Sequence, residues 1–254
     1  MQLNHKKYGE TGPNLVIIHG IFGSLDNWHT VAQELGTHHQ VYTLDMRNHG
    51  RSPHSNDMSI ALMVEDVRRF CENCDLDQIY LIGHSMGGKV AMAFAQTYPE
   101  LLEKLIVVDI APKTYKTSHH PYFDAYETIQ LNEISNRKEL DAAFMKYEKN
   151  FAVRQFLMKN IVSNGAGGYQ LKINIQGIKN GYEEIVGALT LGTINTPTLF
   201  IKGANSNYIT AQDEIQISRH FSDYRLQSIP NAGHWVHAEN RVGFIKALDQ
   251  FILA

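Results

Sequence analysis

The sequence predicts one α/β domain on a doubly wound, mostly parallel sheet, with helices on both faces and a small helical insertion. Three observations predict it. Four runs in the first 111 residues are short, β-rich and continuously apolar rather than alternating, as strands buried on both faces read. Helical patterns separate them, and strands joined by helices make a parallel sheet. After Pro112 the rhythm stops, and it resumes at Pro197.

The elements follow in order. Strand candidates are "NLVIIHG" (Asn14–Gly20), "QVYTLDM" (Gln40–Met46), "IYLIG" (Ile79–Gly83) and "KLIVVDIA" (Lys104–Ala111). Between them lie "DNWHTVAQEL", "SIALMVEDVRRFCENCDL" and "GKVAMAFAQTYPE", whose apolar spacing is helical. Residues 113–195 carry "DAYETIQLNEI", "RKELDAAFMKYEKNF" and "RQFLMKNIV", helical patterns with no buried-strand run, broken by the Gly-rich "NGAGGYQ". Then come "PTLFIKG" (Pro197–Gly203), "AQDEIQISRHF", "RLQSIPNAGHW" and "VGFIKALDQFIL". The expected organisation is a core of residues 1–112 and 196–254, with residues 113–195 inserted as a helical cap over the carboxyl edge of the sheet. Open α/β sheets place ligands at that edge.

Bulk composition excludes several classes. A length of 254 residues, 43% hydrophobic and 19% charged, suits a globular domain with a sizeable core. A net charge of -3 argues against electrostatic binding to nucleic acid or membrane. The apolar runs are strand-length, well short of a membrane span, and "MQLNHKKYGE" has no apolar core of a secretory signal. The only cysteines, Cys71 and Cys74 in "CENC", have no second pair beside them. They read as free thiols of a reducing, cytoplasmic compartment.

The chemistry starts at "GHSMG". Ser85 lies between Gly83 and Gly87, at the junction of a strand and a helix. A nucleophile on so sharp a turn adopts strained angles, so the residues two before and two after must be small. The turn also brings the hydroxyl to a helix N-terminus, where developing negative charge is favoured. Such a serine needs a base. "SIPNAGHWVHAEN" offers His234, in a small-residue loop after the last predicted strand, with His237 the weaker candidate. A carboxylate must then hold the imidazole. The loop after "PTLFIKG" reads "ANSNYITAQDE" and has no acid before Asp213, which sits inside the next helix. Asp109, in "LIVVDIAP", would be costly to bury unpaired, and partnership with His234 explains its presence. Asp109 is the favoured acid, Asn205 or Ser206 are neutral helpers, and Asp213 is the alternative.

Acyl transfer also needs oxyanion donors. The Met86 amide follows the nucleophile, and "IIHGIFGS" supplies the Ile21 amide from the loop after an early strand. Phe22, Tyr208, Trp235 and Phe123, with Tyr126 or Phe144, are expected to shape the substrate pocket. In "LDMRNHGRS", Arg47, His49 and Arg51 read as a salt-bridged structural turn more readily than as an anion site. The basic "KTYKTSHHP" (Lys113–Pro121) reads first as a solvated loop at the cap entrance.

Taken together, "HGIFGSLDNW", "LDMRNHGRS", "GHSMGGKVA", "VVDIAP" and "AGHWVHAE" resemble the α/β-hydrolase superfamily, and within it the small bacterial YbfF-type esterases, related to the mitochondrial abhydrolase-domain group. The resemblance runs from about Leu15 to the C-terminus and is loosest across the cap. It implies an α/β-hydrolase fold and a Ser–His–Asp hydrolase of small-molecule esters or thioesters, acyl-CoA compounds among them, with no metal or other cofactor. It also implies an acid after the strand bearing "VVDIAP", which agrees with Asp109. A C–C bond hydrolase or a cofactor-free haloperoxidase would use the same triad. A non-catalytic ligand-binding protein on this fold is disfavoured, because every catalytic role has a residue to fill it. Oligomeric state is not readable.

Overall fold

In the computed structural model, which describes residues 1–253, the continuous apolar runs become strands with a packed layer on each face. In chain order the elements are β1 (His5–Tyr8), β2 (Asn14–Ile18), α1 (His29–Leu35), β3 (Gln40–Leu44), α2 (Ile60–Asn73), β4 (Ile79–His84), α3 (Met86–Thr97) and β5 (Leu102–Val108). The chain continues through α4 (His120–Thr128), α5 (Arg137–Phe144), α6 (Phe151–Met158), β6 (Ile161–Ser163), β7 (Tyr169–Leu171), α7 (Ile175–Asn180) and α8 (Tyr182–Val186). It closes with β8 (Thr198–Gly203), α9 (Ala211–His220), β9 (Tyr224–Ile229), α10 (Val236–Glu239) and α11 (Arg241–Ile252).

The seven-stranded sheet has the order β1-β3-β2-β4-β5-β8-β9. Only β1 runs antiparallel, pairing His5 with Leu44 on β3. Side-chain alternation feeds two cores. Val16, Ile18, Leu81, Leu105, Val107 and Phe200 face one layer, and Leu15, Ile17, Ile82, Ile106, Val108 and Ile201 face the other. The first layer is closed by α2 and α3 through residues such as Met63, Val67, Val90 and Phe94. The second is closed by α1 and α11 through Val31, Leu35, Phe244 and Leu248. With both faces buried, no polar alternation survives in the sequence.

Everything between β5 and β8 leaves the sheet, yet these two strands pair directly, Leu105 with Thr198 through Val108 with Ile201. This stretch was expected to be wholly helical. It also contains a β6–β7 hairpin, and the Gly-rich break is its turn, with Gly165 and Gly167 at positive φ. Two of its helices are shorter than their patterns. α4 ends at Thr128 because Ile129 is extended, and the pattern across residues 137–151 splits because Asn150 caps a new helix on Ala152 and Val153.

Arg47 is structural: its guanidinium forks onto the buried Asp66 at 2.6 and 2.9 Å and donates to the Asp57 and Leu62 carbonyls. Cys71 and Cys74 are free thiols, and burial pushes Cys71 up to about 12. Among the described residues no helix is long and apolar enough to cross a membrane.

Candidate active site

The turn at Ser85 shows why its neighbours are glycines. Ser85 has φ 55° and ψ -117°, a strained conformation for a residue with a side chain. A Cβ on Gly83 would lie 2.2 Å from the Gly87 carbonyl oxygen, and one on Gly87 would lie 2.6 Å from that of Ile18. Two backbones therefore meet across positions that only glycine can fill. The turn ends β4 and opens α3, which places Ser85 at the N-terminus of a 12-residue helix.

Asp109 follows the last residue of β5 at φ 50° and is completely buried. Its carboxylate is fully engaged. Oδ2 accepts from His234 Nδ1 at 2.8 Å and from Ser206 Oγ, and Oδ1 accepts from the Gly203 amide at 3.2 Å. A carboxylate can only accept here, so Nδ1 of His234 carries the proton and Nε2 keeps its lone pair. Ser206 is thus the neutral helper, while Asn205 contributes its backbone, donating to the Ala232 carbonyl. Asp213 is occupied elsewhere. It accepts from the amide and hydroxyl of Thr210 and pairs with Lys113 at 2.5 Å, so it caps α9.

The loop carrying His234 is held from two sides. His84 donates from Nε2 to the His234 carbonyl at 2.9 Å, and the Tyr208 ring stacks on the His234 imidazole at 3.7 Å. Burial drives His84 well below the usual imidazole range, so it remains a neutral donor. Ser85 and His234 line the same cavity of about 750 Å³, but no hydrogen bond joins Ser85 Oγ to the imidazole. His237 does not reach Asp109. It stacks on Trp28 at 3.9 Å and 11°, its Nδ1 has no partner among the described residues, and burial lowers it to about 3.

The loop bearing Ile21 is fixed by two neutral histidines. His19 donates from Nδ1 to the Gly20 carbonyl and accepts at Nε2 from the Met46 amide. His49 donates from Nδ1 to the Arg47 carbonyl and accepts at Nε2 from the Phe22 amide. Burial lowers them to about 4 and about 3. Phe22, at φ 59°, offers its carbonyl to Asn160 Nδ2 at 2.7 Å. The Ile21 and Met86 amides donate to no protein acceptor among the described residues.

Of the expected pocket residues, Phe22, Tyr208 and Trp235 line the large cavity. Phe123 does not. It is buried behind Phe22, edge-on at 5.3 Å, and against Tyr182 at 5.1 Å, while Tyr122 reaches the wall in its place. Tyr126 and Phe144 are also buried, packed edge-on to each other at 5.6 Å. The sequence reading missed Phe156, which lines the cavity beside Trp235 at 5.4 Å, and Asn160. Phe156 lies in the helical pattern "RQFLMKNIV", where apolar spacing marks a core face without telling core from cavity. For Asn160 no signal existed, since a single Asn after a helix reads as a cap.

Comparison with known proteins follows the same line. Residues 13–241 match the family described as the alpha/beta hydrolase fold. The chain is 38% identical to the sn-1-specific diacylglycerol lipase ABHD11 of Danio rerio, over 96% of this chain and 79% of that protein. It is 33% identical to the esterase YbfF of Escherichia coli, over 94% of this chain and 92% of that one. The solved structure of a marine microorganism esterase superposes with a TM-score of 0.95 at 42% identity, covering 98% of this chain and 99% of that chain.

Proposed function

The chain belongs to the alpha/beta hydrolase fold family and is an esterase-type serine hydrolase, and from that premise we propose that Ser85, His234 and Asp109 are its nucleophile, base and acid. The observation that carries this reading is the Nδ1–Oδ2 hydrogen bond of 2.8 Å between the buried Asp109 and His234, which shares one cavity with Ser85. Asp109 fixes the tautomer that leaves Nε2 basic, and its charge stabilises the imidazolium formed when the Ser85 proton moves. Ser85 Oγ attacks the acyl carbonyl, and the oxygen takes the developing charge. The unengaged amides of Met86 and Ile21 suit that oxyanion, aided by the N-terminus of α3. The alcohol or thiol leaves with the proton from His234. Water activated by the same imidazole then releases the acid and frees Ser85.

The substrates we assign are small to medium acyl esters or acyl thioesters, including acyl-CoA compounds. The apolar cavity of about 750 Å³ has room for an acyl chain. Its walls come partly from residues 113–195, which we assign as the cap over the core. The relatives are named esterases and a diacylglycerol lipase, which supports ester cleavage.

The test is turnover of p-nitrophenyl esters, acetate through palmitate, by the wild type and the Ser85→Ala, Asp109→Asn and Asp213→Asn variants. Ser85→Ala and Asp109→Asn are each expected to lower kcat by about 1,000-fold or more, and Asp213→Asn to stay within about threefold of wild type on these uncharged esters, since it holds the cap of α9 and Lys113 and does not touch His234. Equal loss in the two aspartate variants would refute the assignment of the acid.

A further inference from the structure

A second, smaller cavity of about 420 Å³ opens beside the first, and Ile21, Ser85 and Tyr208 belong to the walls of both. A molecule reacting at Ser85 therefore has two compartments to fill. The two differ in chemistry. Three lysines, Lys89, Lys113 and Lys116, line the smaller cavity, and no carboxylate does.

Lys89 is the unusual one. It sits in the first turns of α3, four residues after Ser85, and is 1% exposed. Its ammonium donates to the carbonyls of Lys113, at 3.0 Å, and Gly187, and lies over the Tyr115 ring at 5.2 Å. Among the described residues no carboxylate pairs with it. Two carbonyl dipoles and a ring face solvate the ammonium, but none of them carries a counter-charge. A buried cation without a counter-charge is costly to keep, and burial lowers it to about 8, which leaves it charged at neutral pH. Lys113 is different, because Asp213 already neutralises it. Lys116 is exposed at the rim. The cavity thus offers one uncompensated buried charge, one exposed charge and neutral donors such as Ser118 and Asn207.

We propose that this cavity is an anion subsite, and that the substrate ester carries a carboxylate a few atoms from the scissile bond, set against Lys89 and Lys116. This rests on the reading of Ser85 as the nucleophile. A monoanion matches the single buried charge. A phosphate dianion would exceed it and would have to take its second charge from the exposed Lys116.

The experiment compares kcat/KM for charged and uncharged esters of equal length within each variant. Monomethyl succinate and glutarate, set against methyl butanoate and pentanoate, place the carboxylate on the acyl side. The butanoyl ester of glycolate, set against that of glycolamide, places it on the alcohol side. The wild type is expected to favour the carboxylate in one series by about tenfold or more, the size of a site that loses a charged partner. Lys89→Met is expected to bring that ratio to within about twofold, and Lys116→Glu, on the exposed rim, to cut it at least about threefold. The Lys116 variant and the wild-type ratio decide the matter even where Lys89→Met does not fold.

Binding is read separately by calorimetry on the Ser85→Ala protein. Monomethyl succinate is expected to bind at least about tenfold more tightly than methyl butanoate. Equal binding, or none, overturns the subsite. Neutral esters turned over through Ser85 with no carboxylate preference would sink the subsite alone. No turnover of any ester would sink the nucleophile, and the calorimetry would then decide the subsite. A preference for butanoyloxyethyl phosphate over every carboxylate would overturn the carboxylate in favour of phosphate.

Discussion

Acid should unfold this protein at a pH where carboxylates are still ionised. Five histidines are held neutral by burial: His19 at about 4, His49 and His237 at about 3, His119 at about 4, and His84 well below the usual range. Hydrogen bonding gives the same answer for two of them. His19 and His49 each accept a backbone amide at Nε2, so a proton there would set two N–H groups against each other. In the unfolded chain each imidazole titrates near 6.5. Between that value and the folded value the unfolded state binds more protons, so stability falls as the pH falls. The stability is fully present above about 6.5, and its loss is complete only below the folded values of about 3 to 4. Between pH 7.5 and 5.5 each group costs about 1.3 kcal/mol, and five cost about 6.5 kcal/mol. That is comparable with the whole stability of an ordinary domain, about 5–15 kcal/mol. The assay is urea unfolding followed by tryptophan fluorescence at pH 7.5, 6.5 and 5.5 and constant ionic strength. His237→Phe isolates one contribution. Phe preserves the stack on Trp28, and the Nδ1 it removes has no partner, so the drop should shrink by about 1.3 kcal/mol. Stability at pH 5.5 within about 1 kcal/mol of that at pH 7.5 would refute the reasoning.

Two further substitutions separate support from chemistry. Arg47→Met takes the fork of hydrogen bonds from the buried Asp66 and leaves it only the Met1 ammonium. It is expected to cost about 1–3 kcal/mol in urea unfolding, with the kcat of the folded fraction within about threefold of wild type because Arg47 lies outside both cavities. Asn160→Leu should do the reverse. It removes the donor that holds the Phe22 carbonyl, costs about 1–3 kcal/mol, and lowers kcat by about tenfold or more by loosening the loop of Ile21. An Asn160→Leu enzyme with wild-type kcat would show that the loop keeps its shape unaided.

What could be read from the sequence follows the physics of each element. The central strands were legible because burial on both faces leaves an unbroken apolar run, as in "LIVV" and "LVII". β1 was not, because "HKKY" is a largely exposed edge strand with no buried apolar run. α7 and α8 are short helices meeting at Gly181, too brief for a period to show. In the candidate site, the glycines around Ser85 and the cost of burying Asp109 are local arguments, and the sequence carries them. The hold of His84 on the His234 carbonyl, the hold of Asn160 on Phe22 and the setting of Lys89 depend on groups tens of residues away. No spacing rule encodes those meetings.

The direct pairing of β5 with β8 has a further consequence. All the chain between Val108 and Thr198 forms one long closed excursion from a seam of four residue pairs. The entropy of closing such a loop grows only with the logarithm of its length, about 0.6 kcal/mol for each doubling. Adding or deleting a helix within it therefore changes the closure cost of the sheet by a fraction of a kcal/mol, while it alters the walls of both cavities directly. Asp109 lies at the mouth of that loop, and its bonds to Gly203 and Ser206 cross it. The excursion can be redrawn in length and shape with its two ends still fastened at the carboxylate.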